Sequence, residues 1–415
     1  MAPSVTRITH PGSSLRRRKD LGFTKILYLS RWLLFFIFCT FFCFNLYNVY
    51  SSKISVLEDI TFSATSDGSS SSSSKREQYE ATVCSDVISK QSAQSKFHDP
   101  NKGLEESPKK LTITQPPFWI SLHAKWFDER RWSSIYMLGE YYEKGLTTIF
   151  QNILVDTKEP GLVVDIGMNI GWFSLWSRAH GHSVIAFDPH PIMHARVCES
   201  LALNQWDHDG SVRLFPYGLG GEESIMNLTT GKNPGGSSFF EDRLAKKYRS
   251  SFPVRVVTLD GIAEQEGWLD PTANAMATTK PIHLMKVDVE GFEYFTLKGG
   301  EKLLASGKVS NIIMENSSTD GKLVPSLFAL LYQSGYKVHT LLNVNGDPYH
   351  NDKETIDGVN RAIAFISSKE NVNENIDLDS NADASNLKWL VKVTCNMWWI
   401  KRGQQDSDSS SVSAK

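Results

Sequence analysis

The stretch Leu162-Val-Val-Asp-Ile-Gly-Met-Asn-Ile-Gly-Trp-Phe-Ser174 decides which fold this sequence predicts. Its first five residues have the apolar character of a buried strand, and the glycines after them predict a turn that leads into a helix. A second apolar segment, at 183–188, ends in the acid Asp188. A strand, a glycine turn, a helix and a second strand that ends in an acid about 20 residues further on are typical of doubly wound α/β folds that bind an adenosine-bearing cofactor.

The residues of this turn indicate which cofactor it binds. Asp165, Gly167, Asn169 and Gly171 form the pattern D-x-G-x-N-x-G, with an acid where a dinucleotide-binding turn carries its first glycine. A carboxylate there would repel a pyrophosphate, but it suits a ligand that has an ammonium group and no phosphate, such as S-adenosylmethionine. We therefore expect Gly167 and Gly171 to leave room for this cofactor. Asp165 and Asn169 would organise the loop around its amino-acid moiety, and Asp188 would accept hydrogen bonds from its ribose hydroxyls.

Strands and helices alternate from about residue 160 onward, which predicts a mostly parallel sheet with helices on both faces. After the first two strands, the pattern predicts strands at 212–216, 282–288, 311–315, 336–342 and 390–401. It predicts helices at 171–179, 191–204, 294–305 and 324–334. Ligands of such sheets bind outside the carboxyl ends of the strands, so the site residues are expected there.

Charged residues stand at the carboxyl ends of the fourth and fifth of these strands. Lys286 and Asp288 share one side of the fourth strand because side chains alternate, Glu290 follows on the turn, and Glu315 ends the fifth strand. A hydroxyl is a poor nucleophile until a base removes its proton. Asp288 is the first candidate for such a base, with Glu290 and Glu315 next, and Lys286 could hold an acid or the substrate. The alternative is an ion-pair cluster that only shapes the turn.

Four motifs follow one another along this half of the chain: Asp165-Ile-Gly-Met-Asn-Ile-Gly171, Phe187-Asp-Pro-His-Pro191, Leu284-Met-Lys-Val-Asp-Val-Glu-Gly-Phe-Glu293 and Leu297-Lys-Gly-Gly300. Together and in this order, they resemble the FkbM-type S-adenosylmethionine-dependent methyltransferases. The resemblance covers about residues 139–315 well. Many relatives have Glu where this chain has Asp188, which keeps the carboxylate but shortens its reach.

The resemblance implies a class I methyltransferase-like fold. Its sheet would be doubly wound, mostly parallel and seven-stranded, with the last strand antiparallel beside the fifth. In that fold Gly218 and Leu219, after the third strand, would pack against the adenine. The resemblance also implies methylation of a hydroxyl group, as on macrolides or sugars, and it implies that the segment 233–240, whose sequence is typical of a mobile loop, lies near the acceptor.

The first fifty residues predict a membrane anchor. Residues 32–50 are almost continuously apolar and approach the length that spans a bilayer core. Seven Lys and Arg residues precede this segment, and the positive-inside bias therefore keeps residues 1–31 in the cytosol. A cleaved signal peptide is the alternative, but no small-x-small cleavage site follows.

The regions after the anchor complete the predicted domain organisation. Residues 51–115 are rich in Ser, Lys, Glu and Gln and predict a flexible stem, and 403–415 predict a disordered tail. The methyltransferase-like domain would occupy 116–402. An anchor, a stem and a lumenal domain are a common layout among Golgi enzymes. We therefore expect a single-pass type II protein of the endoplasmic reticulum or Golgi membrane, which acts on a glycan or glycolipid hydroxyl.

Other features of the composition limit the possible partners. A net charge of −2 gives no case for a nucleic-acid partner. His180, His182 and His190 have no convergent partner in sequence, so no metal site is predicted.

Cysteines and sequons leave two questions open. Outside the apolar segment the chain has Cys84, Cys198 and Cys395, an odd number that permits at most one disulfide within the chain. The sequons at Asn227 and Asn316 would be open to glycosylation in a lumenal domain, and Asn316 is the weaker candidate because it follows a strand end near the expected site.

Three other functions fit parts of the sequence. A type II membrane glycosyltransferase would use Asp288-Val-Glu290 as its acid-x-acid pair, but it would leave the glycine turn without a role. A non-catalytic binding module could keep the methyltransferase fold, although the intact turn and acids argue against it. An NAD-dependent oxidoreductase has the wrong glycine pattern.

Overall fold

The computed structural model describes residues 78–95, 107–123, 141–155, 157, 159–231, 234–240, 250–270, 281–316, 323–343, 347–349, 351–368 and 395–403. All of them belong to one compact unit of the chain, Ser73–Lys415. Within these residues no helix is both long and apolar enough to cross a membrane. The predicted segments 1–31 and 32–50, and all of 403–415 except Gly403, lie outside the described residues and stay predictions.

Helices and strands alternate along most of the described chain. The helices are α1 (Cys84–Ser95), α2 (Lys144–Leu154), α3 (Trp172–Ala179), α4 (Pro191–Leu203), α5 (Leu259–Gln265), α6 (Glu293–Lys298), α7 (Glu301–Ala305), α8 (Leu323–Gln333) and α9 (Lys353–Ser367). The strands are β1 (Lys109–Leu111), β2 (Trp119–Ser121), β3 (Leu162–Ile166), β4 (Ser183–Phe187), β5 (Val212–Phe215), β6 (Gly218–Leu219), β7 (Ser224–Thr230), β8 (Ser250–Val257), β9 (Ile282–Val287), β10 (Val309–Asn316), β11 (Tyr336–Leu342) and β12 (Cys395–Lys401).

A seven-stranded sheet with the order β11-β12-β10-β9-β3-β4-β5 forms the centre of the domain. Every residue of β3 is buried, because helices cover both faces of a parallel sheet. Neighbouring strands are parallel except at β12, which lies antiparallel between β10 and β11. The sheet confirms the class I methyltransferase-like fold, including the antiparallel last strand beside the fifth.

The predicted single helix at 294–305 is wrong in its middle. The chain forms two short helices, α6 and α7, which are separated at Gly299 and Gly300. A Cβ on Gly299 would lie 1.9 Å from the backbone oxygen of Gly220, so the chain at Gly299 packs directly against another backbone segment. That contact joins residues far apart in sequence, which a local helical pattern does not reveal.

A three-stranded sheet, the β1-β2 pair and four helices (α1, α2, α5 and α9) were not part of the sequence prediction. Strands β6, β8 and β7 pair in that order beside the central sheet. Strand β7 alternates exposed and partly buried residues before its last three become buried, so it lacks the continuous apolar run of the central strands. Helix α9 has a capping Asp352 whose side chain accepts a hydrogen bond from the backbone N–H of Thr355, a signal that could have located it.

The predicted flexible stem at 51–115 includes residues that are folded onto the domain. Helix α1 lies within it, and a disulfide joins Cys84 to Cys198 of α4, so the one disulfide that the cysteine count permits is made by this pair. Tyr79 is buried in the main hydrophobic cluster. The structure therefore moves part of this region from the stem to the domain, because local composition does not show a covalent link across 114 residues.

Candidate cofactor and catalytic site

Two adjoining cavities open at the carboxyl ends of β3, β4 and β9. The larger encloses about 610 Å³, including some open solvent, and the smaller encloses about 280 Å³. Gly167, Asn169 and Asp288 line both of them, so the predicted cofactor turn and the predicted catalytic turn meet between the two cavities. This is the edge of the sheet at which the sequence predicts the site.

The glycine turn is held in an unusual backbone conformation. Gly167, Asn169 and Gly171 have φ values of 81°, 54° and 83°, in the left-handed region. A Cβ on Gly167 would lie only 1.7 Å from the backbone oxygen of Asp288, so only glycine fits at this position. Asn169 adopts this conformation with its side-chain oxygen accepting from the N–H of Ile170.

Gly171 has a different role from the one predicted. It lies outside the lining of both cavities, and a Cβ there would approach Val197 of α4 to 2.7 Å. The missing side chain therefore lets α3 begin close against α4, and it does not leave room for a ligand. The sequence pattern marks a glycine that is needed, but it does not say which neighbour needs the space.

Asp165 is buried beneath the turn and does not line either cavity. One carboxylate oxygen accepts a hydrogen bond of 2.6 Å from the hydroxyl of Ser174, and the other, Oδ1, has no hydrogen-bond partner among the described residues. Burial raises the pKa of Asp165, and the nearby ammonium of Lys286 opposes that rise. Asp165 would therefore not contact the cofactor directly. It would affect cofactor binding by supporting the loop above it and by its interaction with Lys286.

Asp188 lines the larger cavity just after β4. Its Oδ2 accepts from the backbone N–H of Asn169 at 3.0 Å, and its Oδ1 accepts from the N–H of His190 at 2.9 Å. Each carboxylate oxygen can accept a further bond, so the group can still receive two ribose hydroxyls. Burial raises the pKa of Asp188 to about 7, although the two N–H groups act to lower it.

The walls beside Asp188 are mostly apolar. The predicted residues Gly218 and Leu219 line this part of the larger cavity, together with Phe187, Met193, Tyr217 and Leu228. An acid with spare acceptor capacity next to flat apolar walls is the chemistry that an adenosine group requires, so these residues fit S-adenosylmethionine. Sequence reasoning missed Leu228 because strand β7 was not predicted. It missed Met193 because this residue lies inside α4, whereas site residues were expected at strand ends.

The segment 234–240 forms another wall of the larger cavity. Pro234, Gly235, Ser237 and Phe239 line it, in agreement with the position that the resemblance implies. The hydroxyl of Ser238 donates to the backbone oxygen of Glu290 at 2.9 Å. The segment is thus attached to the turn that carries the predicted catalytic acids.

Lys286 and Asp288 form an ion pair at the end of β9. The Lys286 Nζ lies 2.9 Å from Asp288 Oδ2, and the side chains are 4% and 29% exposed, respectively. Burial alone would lower the pKa of Lys286, but the carboxylates of Asp288 and Asp165 outweigh it and hold the pKa above its ordinary value. A charged, buried ammonium therefore holds the carboxylate of Asp288 at the junction of the two cavities.

Glu315, near the end of β10, is a partly buried neighbour of Asp288. Burial raises the pKa of Glu315 well above its usual range, and the charge of Asp288 and a side-chain hydrogen bond with it raise it further. A raised pKa favours the protonated form of Glu315, and a protonated carboxyl can donate a hydrogen bond to Asp288. This arrangement resembles other sites where two carboxyl groups share one proton.

Two further acids complete this end of the site. Glu290 lines the larger cavity with a left-handed φ of 52°. Glu293 begins α6 and is almost fully buried, and its Oε1 accepts from the N–H of Gly291 at 2.9 Å. Its charge acts on Glu315. Sequence reasoning did not place Glu293 in the site, because burial of a first-turn acid cannot be inferred from its position.

The histidines near the turn make structural contacts. His180 stacks on Trp176, His182 accepts from the N–H of Gly161, and His190 accepts from the N–H of Ile192. Among the residues that the structure describes, no group of three or more His, Cys, Asp or Glu side chains is arranged to hold a metal ion.

Comparisons with known proteins agree with this geometry. Residues 165–338 match the methyltransferase FkbM domain. The methyltransferase sdnD of Sordaria araneosa is 29% identical over 196 residues, which are 42% of this chain and 73% of that protein.

Two solved structures are similar over a larger share of the chain. One is a SAM-dependent methyltransferase from Agrobacterium tumefaciens, with a TM-score of 0.31 and 12% identity over 61% of this chain and 69% of that chain. The other is a SAM-dependent methyltransferase from Thiobacillus denitrificans in complex with S-adenosyl-L-homocysteine, with a TM-score of 0.27 and 10% identity over 62% of this chain and 91% of that chain.

The family match covers the glycine turn, Asp188 and the Lys286-to-Glu293 motif in one continuous region. This match favours a methyltransferase over the glycosyltransferase and oxidoreductase alternatives. S-adenosylmethionine is the cofactor. Residues 165–338 of this chain are thus similar to the methyltransferase FkbM domain, and 196 residues of the chain are similar to a known methyltransferase.

Proposed function

We propose that this methyltransferase transfers its methyl group to a hydroxyl, with Asp288 as the general base. The observation that supports this role most directly is the position of Asp288. It lines both cavities, is 29% exposed and is held by a buried ammonium. An acceptor that reaches the junction of the two cavities would meet this carboxylate beside the cofactor.

The chemistry divides between the cofactor and the chain. When bound, S-adenosylmethionine supplies a methyl group on a positively charged sulfur. Asp288 would take the proton of the acceptor hydroxyl as the oxygen attacks, which is the task of a general base. Lys286 and the protonated Glu315 would orient its carboxylate, and Glu290 is the next candidate for contact with the acceptor.

Asp288→Asn tests this assignment, because asparagine keeps the shape but cannot accept the proton. We expect methyl transfer to fall by about 10²- to 10⁴-fold with cofactor affinity unchanged. Cells without the protein, restored with wild type, Asp288→Asn or the surface control Asp357→Asn, would be compared by mass spectrometry of glycans and lipids. Methylation restored equally by Asp288→Asn would assign the base elsewhere, with Glu290→Gln and Glu315→Gln next.

A divalent ion is the alternative way to activate the hydroxyl. Loss of activity with a chelator, and recovery with added ion, would make the same acids metal ligands. Full activity in chelator would leave Asp288 as the base.

We further propose that the acceptor is a glycan or glycolipid of the secretory pathway and that the protein is a type II membrane protein. The apolar segment at 32–50 and the basic residues before it support this orientation. The disulfide between Cys84 and Cys198 supports an oxidising compartment, since such links are rare in the cytosol. Protease added to intact microsomes should trim only the N-terminal tail, whereas digestion of the domain without detergent would contradict this orientation.

A further inference from the structure

The segment before α1 lies along the outer edge of the central sheet. We call residues 78–84 the N-terminal strap. The N–H of Thr82 donates to the backbone oxygen of Leu214 in the edge strand β5 at 2.7 Å. Tyr79 exchanges two hydrogen bonds with the side chain of Gln265, at 2.6 and 2.9 Å. The strap is therefore fixed both to the sheet edge and to α5.

One chain of hydrogen bonds leads from the strap to the acid of the cofactor cavity. The hydroxyl of Thr82 lies 2.9 Å from Nδ1 of His194, and Nε2 of His194 lies 2.7 Å from the backbone oxygen of Asp188. A carbonyl oxygen can only accept, so Nε2 carries the ring proton. Burial lowers the pKa of His194 to about 4, so the ring is neutral and its Nδ1 accepts from Thr82.

A second set of contacts leads from the strap to the cavity wall. The N–H of Glu80 donates to the hydroxyl of Tyr217 at 3.1 Å, and the ring of Tyr79 meets that of Tyr217 edge-on, with 6.1 Å between their centres. Tyr217 lines the larger cavity, as Asp188 does. The guanidinium of Arg255 lies 5.6 Å from the centre of each of these two rings.

The disulfide fastens the end of this strap. Cys84 is bonded to Cys198 in α4, the helix that begins just after Asp188 and carries His194. The strap, α4 and the acid loop are thus linked covalently as well as by hydrogen bonds. Without the disulfide, noncovalent contacts would have to hold the strap against the conformational freedom of the preceding chain.

We infer that the N-terminal strap positions the cofactor site: Thr82, through His194, holds the loop of Asp188, Glu80 holds Tyr217, and the Cys84–Cys198 disulfide keeps both contacts in place. This inference rests on the proposed assignment of Asp188 and Tyr217 to the cofactor cavity. Thr82 and His194 are positioning residues, since neither lines either cavity. Breaking their contacts should weaken binding of S-adenosylmethionine.

Thr82→Val removes the hydroxyl while it keeps the shape of the side chain. We expect the full-length protein to bind S-adenosylmethionine about 2- to 10-fold more weakly by calorimetry, the range for one lost hydrogen bond. Thr82→Ser should restore most of the affinity because it restores the donor. Thr148→Val is the matched control, since the Thr148 hydroxyl bonds only within α2, to the backbone oxygen of Lys144.

Reduction of the disulfide tests the fastening. Dithiothreitol would give two electrons and two protons to the Cys84–Cys198 pair and become a cyclic disulfide itself, leaving two thiols. We expect cofactor affinity to fall at least as far as in Thr82→Val. The double variant Cys84→Ser, Cys198→Ser should show the same lowered affinity and no further loss on reduction, because the described residues contain no other disulfide.

Asp188→Ala separates the inference from the site assignment on which it rests. If Asp188→Ala lowers cofactor affinity while Thr82→Val and reduction leave it at the wild-type value, the strap has no positioning role. If Asp188→Ala itself binds the cofactor normally, the cavity assignment is wrong. Weaker binding in Thr82→Val with no recovery in Thr82→Ser would mean general disturbance of the fold and would also overturn the inference.

Discussion

A Cβ on Gly167 would lie 1.7 Å from the backbone oxygen of Asp288, so the cofactor turn and the catalytic turn are in direct backbone contact. The N–H of Asp288 also donates to the backbone oxygen of Ile166 at 3.0 Å. A change that moves one turn must therefore move the other. This contact explains why the two motifs, more than a hundred residues apart in sequence, behave as one site.

The first prediction concerns Gly167→Ala. We expect a loss of unfolding free energy of about 3 kcal/mol or more, because the methyl group meets a backbone atom that cannot move freely. Gly181→Ala is the matched control, since Gly181 has a φ of 90° but no described residue other than its chain neighbours lies within 4 Å of its Cβ position. It should lose only about 1 kcal/mol from the backbone conformation. Equal losses in urea denaturation would contradict the close contact.

The second prediction concerns the pH dependence of cofactor binding. The pKa of Asp188 is raised to about 7, so its carboxylate becomes protonated as pH falls through neutrality. A protonated carboxyl accepts ribose hydroxyls less well, so affinity should fall from pH 8 to pH 6. Asp188→Ala should lower affinity by roughly ten- to a hundredfold at pH 8 and reduce this pH dependence. Calorimetry that gives wild-type affinity for Asp188→Ala would remove Asp188 from the site.

The third prediction concerns the stability of the protein without cofactor. The pKa of Glu315 is raised in the folded state, so the folded protein keeps a proton that the unfolded chain releases above about pH 4. The folded state then binds more protons, and this group makes the unfolding free energy fall as pH rises toward its folded pKa.

Glu315→Gln removes this titration but keeps a donor toward Asp288. Wild type should lose stability from pH 6 to pH 8.5 through this group, whereas Glu315→Gln should not. The unfolding free energy of the variant should therefore increase relative to that of wild type over this range. Glu222→Gln, at an exposed position, is the control. A difference that does not change with pH would show that Glu315 ionises normally.

The fourth prediction concerns glycosylation in a secretory cell. The side chain of Asn227 lies on the exposed face of β7, next to Leu228, which faces the cavity. Asn316 is 2% exposed at the end of β10, so a glycan there would not fit the folded domain. We expect a glycosidase-sensitive mass shift that disappears in Asn227→Gln and persists in Asn316→Gln. A shift that depends on Asn316 would contradict the burial of that side chain.

The sequence predicts the central sheet well because its signals are local. Strand β3 is a continuous apolar run, and Gly167 and Asp188 stand at its end and at the end of β4, where the register of a parallel sheet brings them together. The signals for Lys286 and Asp288 are equally local, since alternation along β9 places them on one side.

What the sequence could not predict depends on contacts between distant segments. Gly171 is explained by Val197, and the break at Gly299 by the backbone of Gly220. The pairing of Cys84 with Cys198 needs the strap to reach α4, and cysteine parity alone only limits the number of disulfides. The sequence offers Asp288 and Glu315 as two candidates for one role, because it does not show which acid has the raised pKa.

The hydrogen bond between Thr82 and Leu214 has a consequence for shorter versions of this protein. A chain that begins at residue 116, the start suggested by composition, would lack the segment that covers β5. Unpaired edge strands are templates for pairing with another molecule. Such a shortened chain would also expose the thiol of Cys198, so two copies could join first through their sheet edges and then through an intermolecular disulfide.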